Sequence, residues 1–233
     1  MRPLRAFALL LLPLGVAAAP PTGPRTKVEA LWRKLEATVL QVDEGLEGVL
    51  GVAIVDLTDG RELLLNADEV FPTASTIKLP LLIELYRQSQ AEGCRPPIKA
   101  GTEPLGPGRA RLSDLYVVRS EDRVPDSFIL DGLTPGVSRL TNRDLATCVV
   151  AVSDNAATNL LIQRVGLERV EAMLAQADLG QTHLRRRMMD LAAARAGREN
   201  VATPRELARL LTLLHHGKLL EPALTEDLLL VLS

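Results

Sequence analysis

The sequence predicts a mixed α/β (α+β) fold in which a helical subdomain packs on an antiparallel sheet. Two observations support this prediction. Two short apolar runs flank a turn signal near the N-terminus, as in a β-hairpin, and seven other segments are predicted to be helices. The chain has 233 residues, which is enough for one domain with a substantial core. We place that domain at residues 20–233.

The predicted hairpin follows a first helix. Residues 28–42 have apolar residues at helical spacing, with charges on the other face. Residues 50–57 are an apolar run rich in Val and Ile, and Thr58-Asp59-Gly60 is a turn signal. Residues 61–66 then resume the apolar character. The hairpin leads into a helix that begins near Ser75 and reaches about residue 91.

The rest of the chain is predicted to be mainly helical. Thr141 with Asp144 resembles a capping box, and Thr203 followed by Pro204 and Glu206 is a typical helix start. Residues 93–108 are rich in Gly and Pro and are predicted to be a loop. Residues 109–135 are less regular and carry weak strand or short-helix signals. Residues 183–201 are also less regular, and they include a cationic run that we expect to be solvated. The remaining predicted helices cover residues 141–153, 156–165, 168–177, 203–215 and 224–232.

The composition of the chain argues against some classes of ligand and partner. The formal net charge is −2, so the sequence shows no basic face of the kind that nucleic acid requires. His183, His215 and His216 match no metal-ligand spacing, and we expect no metal or other cofactor. Cys94 and Cys148 are the only cysteines. Both a disulfide and two isolated buried thiols are compatible with the sequence.

The N-terminus has the pattern of a secretory signal peptide over residues 1–19. Two arginines lie within residues 1–5, residues 6–16 are apolar, and Ala17-Ala18-Ala19 offers a cleavage site. The apolar run is too short to span a bilayer. We therefore expect a periplasmic or secreted protein with no stable membrane insertion after cleavage. The alternative is a buried or membrane-anchoring helix.

Ser75-Thr76-Ile77-Lys78 places a hydroxyl and an amine one helical turn apart, so that both emerge from the same face. A serine hydroxyl is a weak nucleophile. A neighbouring lysine can hold it by hydrogen bonding, or take its proton if burial has lowered the lysine pKa. Pro80 falls within the first turn of the predicted helix, where a missing N–H is tolerated. One Ser-x-x-Lys is nevertheless expected by chance in a chain of about this size.

Ser153-Asp154-Asn155 lies at the predicted junction of two helices. Ser153 offers a second hydroxyl that could relay a proton to a leaving group, and Asn155 could donate to a substrate amide carbonyl. We expect Asp154 to accept backbone N–H bonds and so to hold the loop. The alternative is a simple helix break, for which all three residue types are favoured.

Together the two motifs resemble those of the class A β-lactamases and penicillin-interacting serine hydrolases. The similarity extends to the strand from Gly51, to Phe71-Pro72-Thr73-Ala74 before the first motif, and to Asn159 after the second. Residues 198–204 are similar to the exit of the family's omega loop. The resemblance covers nearly all of residues 26–233 and implies a β-lactamase/transpeptidase-like fold.

The resemblance also implies roles for individual residues. Ser75 would be the acylated nucleophile, and its backbone N–H would form half of the oxyanion hole. Lys78 would accept a proton, and Ser153 would relay one. Asn155 would contact the substrate amide, and Asn159 would support the omega loop from beneath. The implied substrate is a small-molecule β-lactam or a cell-wall peptide, and the implied state is a monomer.

The omega loop departs from the family pattern. Class A enzymes have a glutamate there that activates the deacylating water. In this chain Arg187, Met188 or Met189 occupies the corresponding position. Asp190 is the nearest acid, and we predict it as a displaced catalytic base; Glu199 lies farther along. Without a base, acylation would occur while deacylation is slow.

The C-terminal part is the second departure. The family's Lys-Thr/Ser-Gly motif is absent from the sequence, which ends at Ser233, before the family's last strands. We therefore expect a fragment of a longer protein, the alternative being a truncated product, and poor catalysis by these residues alone. Besides a β-lactamase, the sequence allows a peptidoglycan-peptide or other amide hydrolase or carboxypeptidase. It also allows a β-lactam-binding or cell-wall-peptide-binding protein without turnover, or a structural pseudoenzyme.

Overall fold

The computed structural model describes residues 26–90 and 110–233. The chain divides into two compact units, residues 1–47 and 48–233. The single domain predicted over residues 20–233 stays a prediction. The predicted signal peptide, the Gly- and Pro-rich loop and Cys94 lie outside the described residues. Every helix in the described part of the chain is too short or too polar to cross a bilayer.

The described part of the first unit contains helix α1, Lys27–Gly45, which confirms the helix predicted over residues 28–42. Its start is fixed by a capping box. The Thr26 side chain accepts from the backbone N–H of Glu29, and the Glu29 carboxylate accepts from the backbone N–H of Thr26. No residue of α1 is buried.

The second unit begins with the predicted hairpin. Strands β1 (Val52–Val55) and β2 (Glu62–Leu65) pair antiparallel, with Val52 opposite Leu65. The Asp56 carboxylate accepts from the backbone N–H of Thr58 at 2.8 Å. Gly60 adopts φ +76°, a conformation that costs glycine little.

Two further strand pairs lie farther apart in sequence. Strand β3 (Phe71–Pro72) pairs with β6 (Val201–Ala202), and β4 (Leu115–Val117) pairs with β5 (Arg139–Thr141). All pairs are antiparallel, as predicted, but the described residues form three separate two-stranded pieces. Strands β3 and β6 were not predicted, because each has two residues, too few to show an alternating pattern.

Helix α2 (Lys78–Ser89) is buried along most of its length and packs against other helices of the second unit. Ile77, Leu81 and Leu85 are fully buried in the core, and Pro80 lies in the first turn of α2, as predicted. The predicted caps at Thr141 and Thr203 are both present. The helices are α2 (Lys78–Ser89), α3 (Asn142–Ala151), α4 (Asn155–Val165), α5 (Leu167–Gln176), α6 (Leu191–Arg195), α7 (Pro204–His215) and α8 (Pro222–Leu232).

Candidate active site

The backbone before α2 sets the position of Ser75. Residues Ala74–Ile77 form a 3₁₀ helix that continues into α2, so Ser75 precedes the α-helix and Lys78 is its first residue. Ala74 has φ +44°, a left-handed conformation that is strained for a residue with a Cβ. The carbonyl of Thr73 accepts from the backbone N–H of Thr76 at 3.0 Å and from its hydroxyl at 2.6 Å.

The second motif sits in the short connection between α3 and α4. Ser153 has φ +56°, which is also a strained conformation of the kind that recurs at functional sites. The carbonyl of Cys148, at the end of α3, accepts from the backbone N–H groups of Val152 and Asp154. These bonds turn the chain so that the Ser153 side chain faces the first motif.

A line of hydrogen bonds joins the two motifs. The Ser153 hydroxyl donates to the Ser75 hydroxyl at 2.8 Å, and the Lys78 ammonium donates to the Ser153 hydroxyl at 2.8 Å. Lys78 also donates to the Ser153 carbonyl at 2.6 Å and to the Asn155 amide oxygen at 3.1 Å. Within the described residues no direct hydrogen bond joins Lys78 to Ser75. Ser153 therefore connects them, whereas the sequence suggested direct contact as well.

The environment of Lys78 makes the neutral amine more accessible than it is for an ordinary lysine. Its side chain is buried, and its three hydrogen-bond acceptors are all uncharged. Burial lowers the pKa of Lys78 to about 8, and the nearby charge of Asp154 opposes the shift. At neutral pH a larger fraction of the molecules therefore carries an unprotonated Lys78 than for an ordinary lysine.

Asp154 is a fully buried residue that organises the loop. Its carboxylate accepts from the backbone N–H groups of Ile129, Leu130 and Ala157 at 2.9, 3.1 and 2.9 Å. The predicted backbone contacts are thus present, and they tie the segment before β5 to the start of α4.

Replacing Asp154 with Ala should lower the free energy of unfolding by about 3–5 kcal/mol, because three backbone donors, two of them in buried bonds, lose their acceptor. Urea denaturation measures this loss. Asp144→Ala is the matched control, since Asp144 also accepts a backbone N–H, but at an exposed helix start, where the cost is about 1 kcal/mol. Equal losses for the two variants would contradict this account of Asp154.

Asn155 and Asn159 face different parts of the site. The Asn155 amide nitrogen donates to the Pro125 carbonyl at 3.3 Å, which leaves its second N–H for another acceptor. Asn159 clamps Met188: its amide nitrogen donates to the Met188 carbonyl at 3.1 Å, and its amide oxygen accepts from the Met188 backbone N–H at 2.8 Å. Asn159 therefore holds the segment that the sequence aligned with the omega loop.

The acids of that segment have structural partners. Asp190 is exposed and caps α6, and its carboxylate accepts from the backbone N–H of Ala193 at 2.9 Å. In the described part of the chain no hydrogen bond links Asp190 to the Ser75 cluster. Glu199 pairs with Arg186 at 2.6 Å. Asp190 thus lies at a helix terminus, and its role as a displaced base stays a prediction. Arg186 is paired with Glu199 and is not the solvated cation that was expected.

A cavity of about 280 Å³ opens beside Ser75. Ser75, Lys78 and Ser153 supply its polar wall, and side chains from α2, α3 and α8 supply an apolar wall. Asp190 does not line this cavity. Across residues 26–90 and 110–233, no three His, Cys, Asp or Glu side chains come together in a way that could hold a metal ion.

Sequence reasoning missed Ser127, and it assigned no individual role to Asn200 although it placed Asn200 in the predicted exit of the omega loop. The Ser127 hydroxyl accepts from the backbone N–H of Ala156 at 2.8 Å, at the start of α4. Asn200 is buried and contacts both the loop and Thr73. Neither residue carries a local signal, because their partners lie far away in sequence.

Solved structures with this fold include β-lactamases. A β-lactamase from Sphaerobacter thermophilus is 30% identical with a TM-score of 0.67, over 84% of this chain and 66% of that one. A structure of PBP-A is 25% identical with a TM-score of 0.68, over 92% of this chain and 71% of that one. A mutant of PBP-A, with the same identity and TM-score, was solved as an acyl-enzyme complex with penicillin G.

Curated relatives agree with the structural similarity. A β-lactamase of Rhodobacter capsulatus is 28% identical over 155 residues, which are 66% of this chain and 45% of the relative. Beta-lactamase 1 of Streptomyces cacaoi is 29% identical over 160 residues, which are 68% of this chain and 46% of the relative. The chain therefore spans about half the length of these curated relatives. The model of the beta-lactamase enzyme family matches residues 30–97 and 100–233, and the chain belongs to that family.

Proposed function

We propose that this protein is a secreted serine hydrolase that opens a β-lactam amide through an acyl-enzyme on Ser75. The observation that carries the proposal is the line from the Ser75 hydroxyl through the Ser153 hydroxyl to the Lys78 amine, with both hydrogen bonds at 2.8 Å. This line of hydrogen bonds connects a nucleophile, a proton relay and a buried base, in that order. Family membership and the signal-peptide pattern of residues 1–19 support the reaction class and the location.

The hydrogen bonds suggest a route for the proton. In acylation the Ser75 oxygen forms a bond to the amide carbon, its proton passes to the Ser153 oxygen, and the Ser153 proton passes to unprotonated Lys78. As the carbon–nitrogen bond breaks, the Lys78 ammonium returns a proton through Ser153 to the departing nitrogen. Both steps run along the same two contacts. In acylation the two hydrogen bonds reverse direction, because unprotonated Lys78 accepts from Ser153 and Ser153 accepts from Ser75, so the pair acts first as base and then as acid. Asn155, whose amide oxygen accepts from Lys78, is proposed to contact the substrate amide.

The second half of the reaction has no evident base in the loop. Asn159 holds the backbone of Met188, whose thioether cannot take a proton from water at neutral pH. The Asp190 carboxylate is used as a helix cap. We therefore propose that the acyl-enzyme is long-lived. The similarity to PBP-A supports this proposal, since a mutant of that protein was solved as an acyl-enzyme complex with penicillin G.

Slow release of the acyl group also favours a second candidate, an amide hydrolase or carboxypeptidase that acts on cell-wall peptides. A strained β-lactam and a peptide amide require the same nucleophile and relay. The two candidates differ in substrate, so turnover of a cell-wall peptide together with a persistent β-lactam adduct would favour the second.

Stopped-flow mixing of the full-length protein with nitrocefin tests the primary proposal. We expect a burst of one equivalent followed by slow turnover, because acylation is supported and deacylation is not. Steady turnover without a burst would contradict slow deacylation. No reaction at all from a folded protein would contradict the use of Ser75 as a nucleophile.

Replacing Met188 with Glu should accelerate deacylation about 10-fold or more, because it adds a carboxylate at the position that Asn159 clamps. The decay of the penicillin G adduct, followed by mass spectrometry, measures the rate. Asp190→Asn is the matched control and should leave that rate unchanged, since it retains a cap while removing the charge. Slower deacylation in Asp190→Asn would restore Asp190 as the base.

A further inference from the structure

Asn200 closes the loop that carries Met188. Its side chain is buried and lies immediately before β6, at the far end of the loop from Arg185. The Asn200 amide oxygen accepts from the backbone N–H groups of Arg185 and Arg186 at 2.8 and 3.0 Å. Its amide nitrogen donates to the Arg186 carbonyl at 3.2 Å. One side chain thus fastens the beginning of the loop to its end.

The backbone of the same residue reaches the segment that leads to Ser75. The Asn200 carbonyl accepts from the backbone N–H of Thr73 at 3.0 Å and from the Thr73 hydroxyl at 3.1 Å. The neighbouring pair, Phe71 opposite Ala202, extends this connection as the β3–β6 ladder. Thr73 is buried, so both hydrogen bonds are shielded from competing water.

The contact between Asn200 and Thr73 lies next to a strained residue of the backbone. Ala74 follows directly with φ +44°, and a strained residue of this kind persists only when its surroundings hold it in place. Asn200 fixes Thr73 on one side of Ala74. The Thr73 carbonyl, in turn, accepts from both the backbone N–H and the hydroxyl of Thr76 on the other side. Ser75 lies between these fixed points.

We propose that Asn200 is a positioning residue that couples the 183–200 loop to Ser75, so that a change in the loop alters the rate of acylation. Asn200 does not touch the Ser75 hydroxyl. It acts through Thr73 and Ala74, by holding the backbone from which Ser75 projects toward Ser153. The expected effect on the acylation rate rests on the proposed function, whereas the expected effect on the backbone of residues 71–77 does not.

The experiment compares the full-length wild-type protein with Asn200→Ala, Thr73→Val and Thr73→Ser. Thr73→Val removes the hydroxyl donor with little change in shape, and Thr73→Ser keeps it. Matched controls are Asn142→Ala, which loses a buried asparagine that donates to Arg111, and Thr212→Val, which loses a hydroxyl bond to Ala208 inside α7. The readouts are the second-order rate of acylation by penicillin G, the Tm, and amide hydrogen exchange of residues 71–77 and 183–188.

We expect Asn200→Ala and Thr73→Val to slow acylation about 10-fold or more, because a small displacement of a nucleophile is costly. Thr73→Ser should restore the wild-type rate. Asn200→Ala should speed exchange in both 71–77 and 183–188. The controls should lower the Tm without either effect.

Two results would overturn the coupling. One is faster exchange confined to residues 183–200 in Asn200→Ala. The other is an acylation rate that falls no more in Asn200→Ala than in Asn142→Ala at a similar loss of Tm. If the folded wild-type protein forms no adduct, the proposed function fails, and hydrogen exchange alone then decides whether Asn200 holds residues 71–77.

Discussion

A Ser75→Ala protein is expected to form no covalent adduct with penicillin G, although it folds and keeps the Lys78–Ser153 hydrogen bond. Ser75 is an exposed hydroxyl at the open end of the relay and lines the cavity, whereas the Ser153 hydroxyl lies between Ser75 and Lys78. Removal of the nucleophile therefore removes the reaction and does not merely slow it. Intact-mass spectrometry after incubation with penicillin G measures the loss.

Ser113→Ala is the control for this variant, because Ser113 is exposed and has no place in the relay. It should acylate like the wild type. An adduct that persists in Ser75→Ala, whether on Ser153 or elsewhere, would show that Ser75 is not the acylated residue.

Replacing Lys78 with Met should slow acylation by about 10²–10⁴-fold, the range for loss of a positioned general base. Met keeps an apolar side chain of similar length at this buried position but cannot accept the Ser153 proton. Stopped-flow measurement of the acylation rate tests this expectation. Lys218→Met, which removes an exposed lysine, is the matched control and should leave the rate unchanged.

The pH dependence of the acylation rate tests the same role of Lys78, and the pKa of Lys78 determines whether the rate rises or falls with pH. Burial lowers the pKa of Lys78 to about 8, and only unprotonated Lys78 accepts a proton. The wild-type acylation rate should therefore rise about 10-fold per pH unit below pH 8 and level off above it. The residual rate of Lys78→Met should lack this step. A wild-type rate that is flat between pH 6 and 9 would rule out Lys78 as the titrating base.

Local signals explain how much of the fold could be predicted. Some elements depend only on a few neighbouring residues, as at the caps of Thr141 and Thr203 and the turn at Gly60. These elements could therefore be predicted from the sequence. Helix α6 was missed because five residues are too few to show helical periodicity. The expected sheet is present as separate two-stranded pieces within the described residues.

The sequence predicted which residues meet at the site more accurately than it predicted the hydrogen bonds between them. Ser75, Lys78 and Ser153 do come together, yet the route through Ser153 depends on the positive φ of that residue and on contacts between distant segments. Asp190 was chosen because it is near Met188 in sequence. The start of α6 turns its carboxylate to a helix terminus, which sequence distance alone does not reveal.

The most direct test of the central claim is a time course of intact and peptide mass after the full-length protein is mixed with one equivalent of penicillin G at pH 8. The account predicts one adduct of the mass of the whole antibiotic on the peptide that contains Ser75, formed quickly and lost slowly. Complete hydrolysis of the antibiotic with no adduct detected at any time would contradict slow deacylation. An adduct on any other residue would contradict the assignment of Ser75.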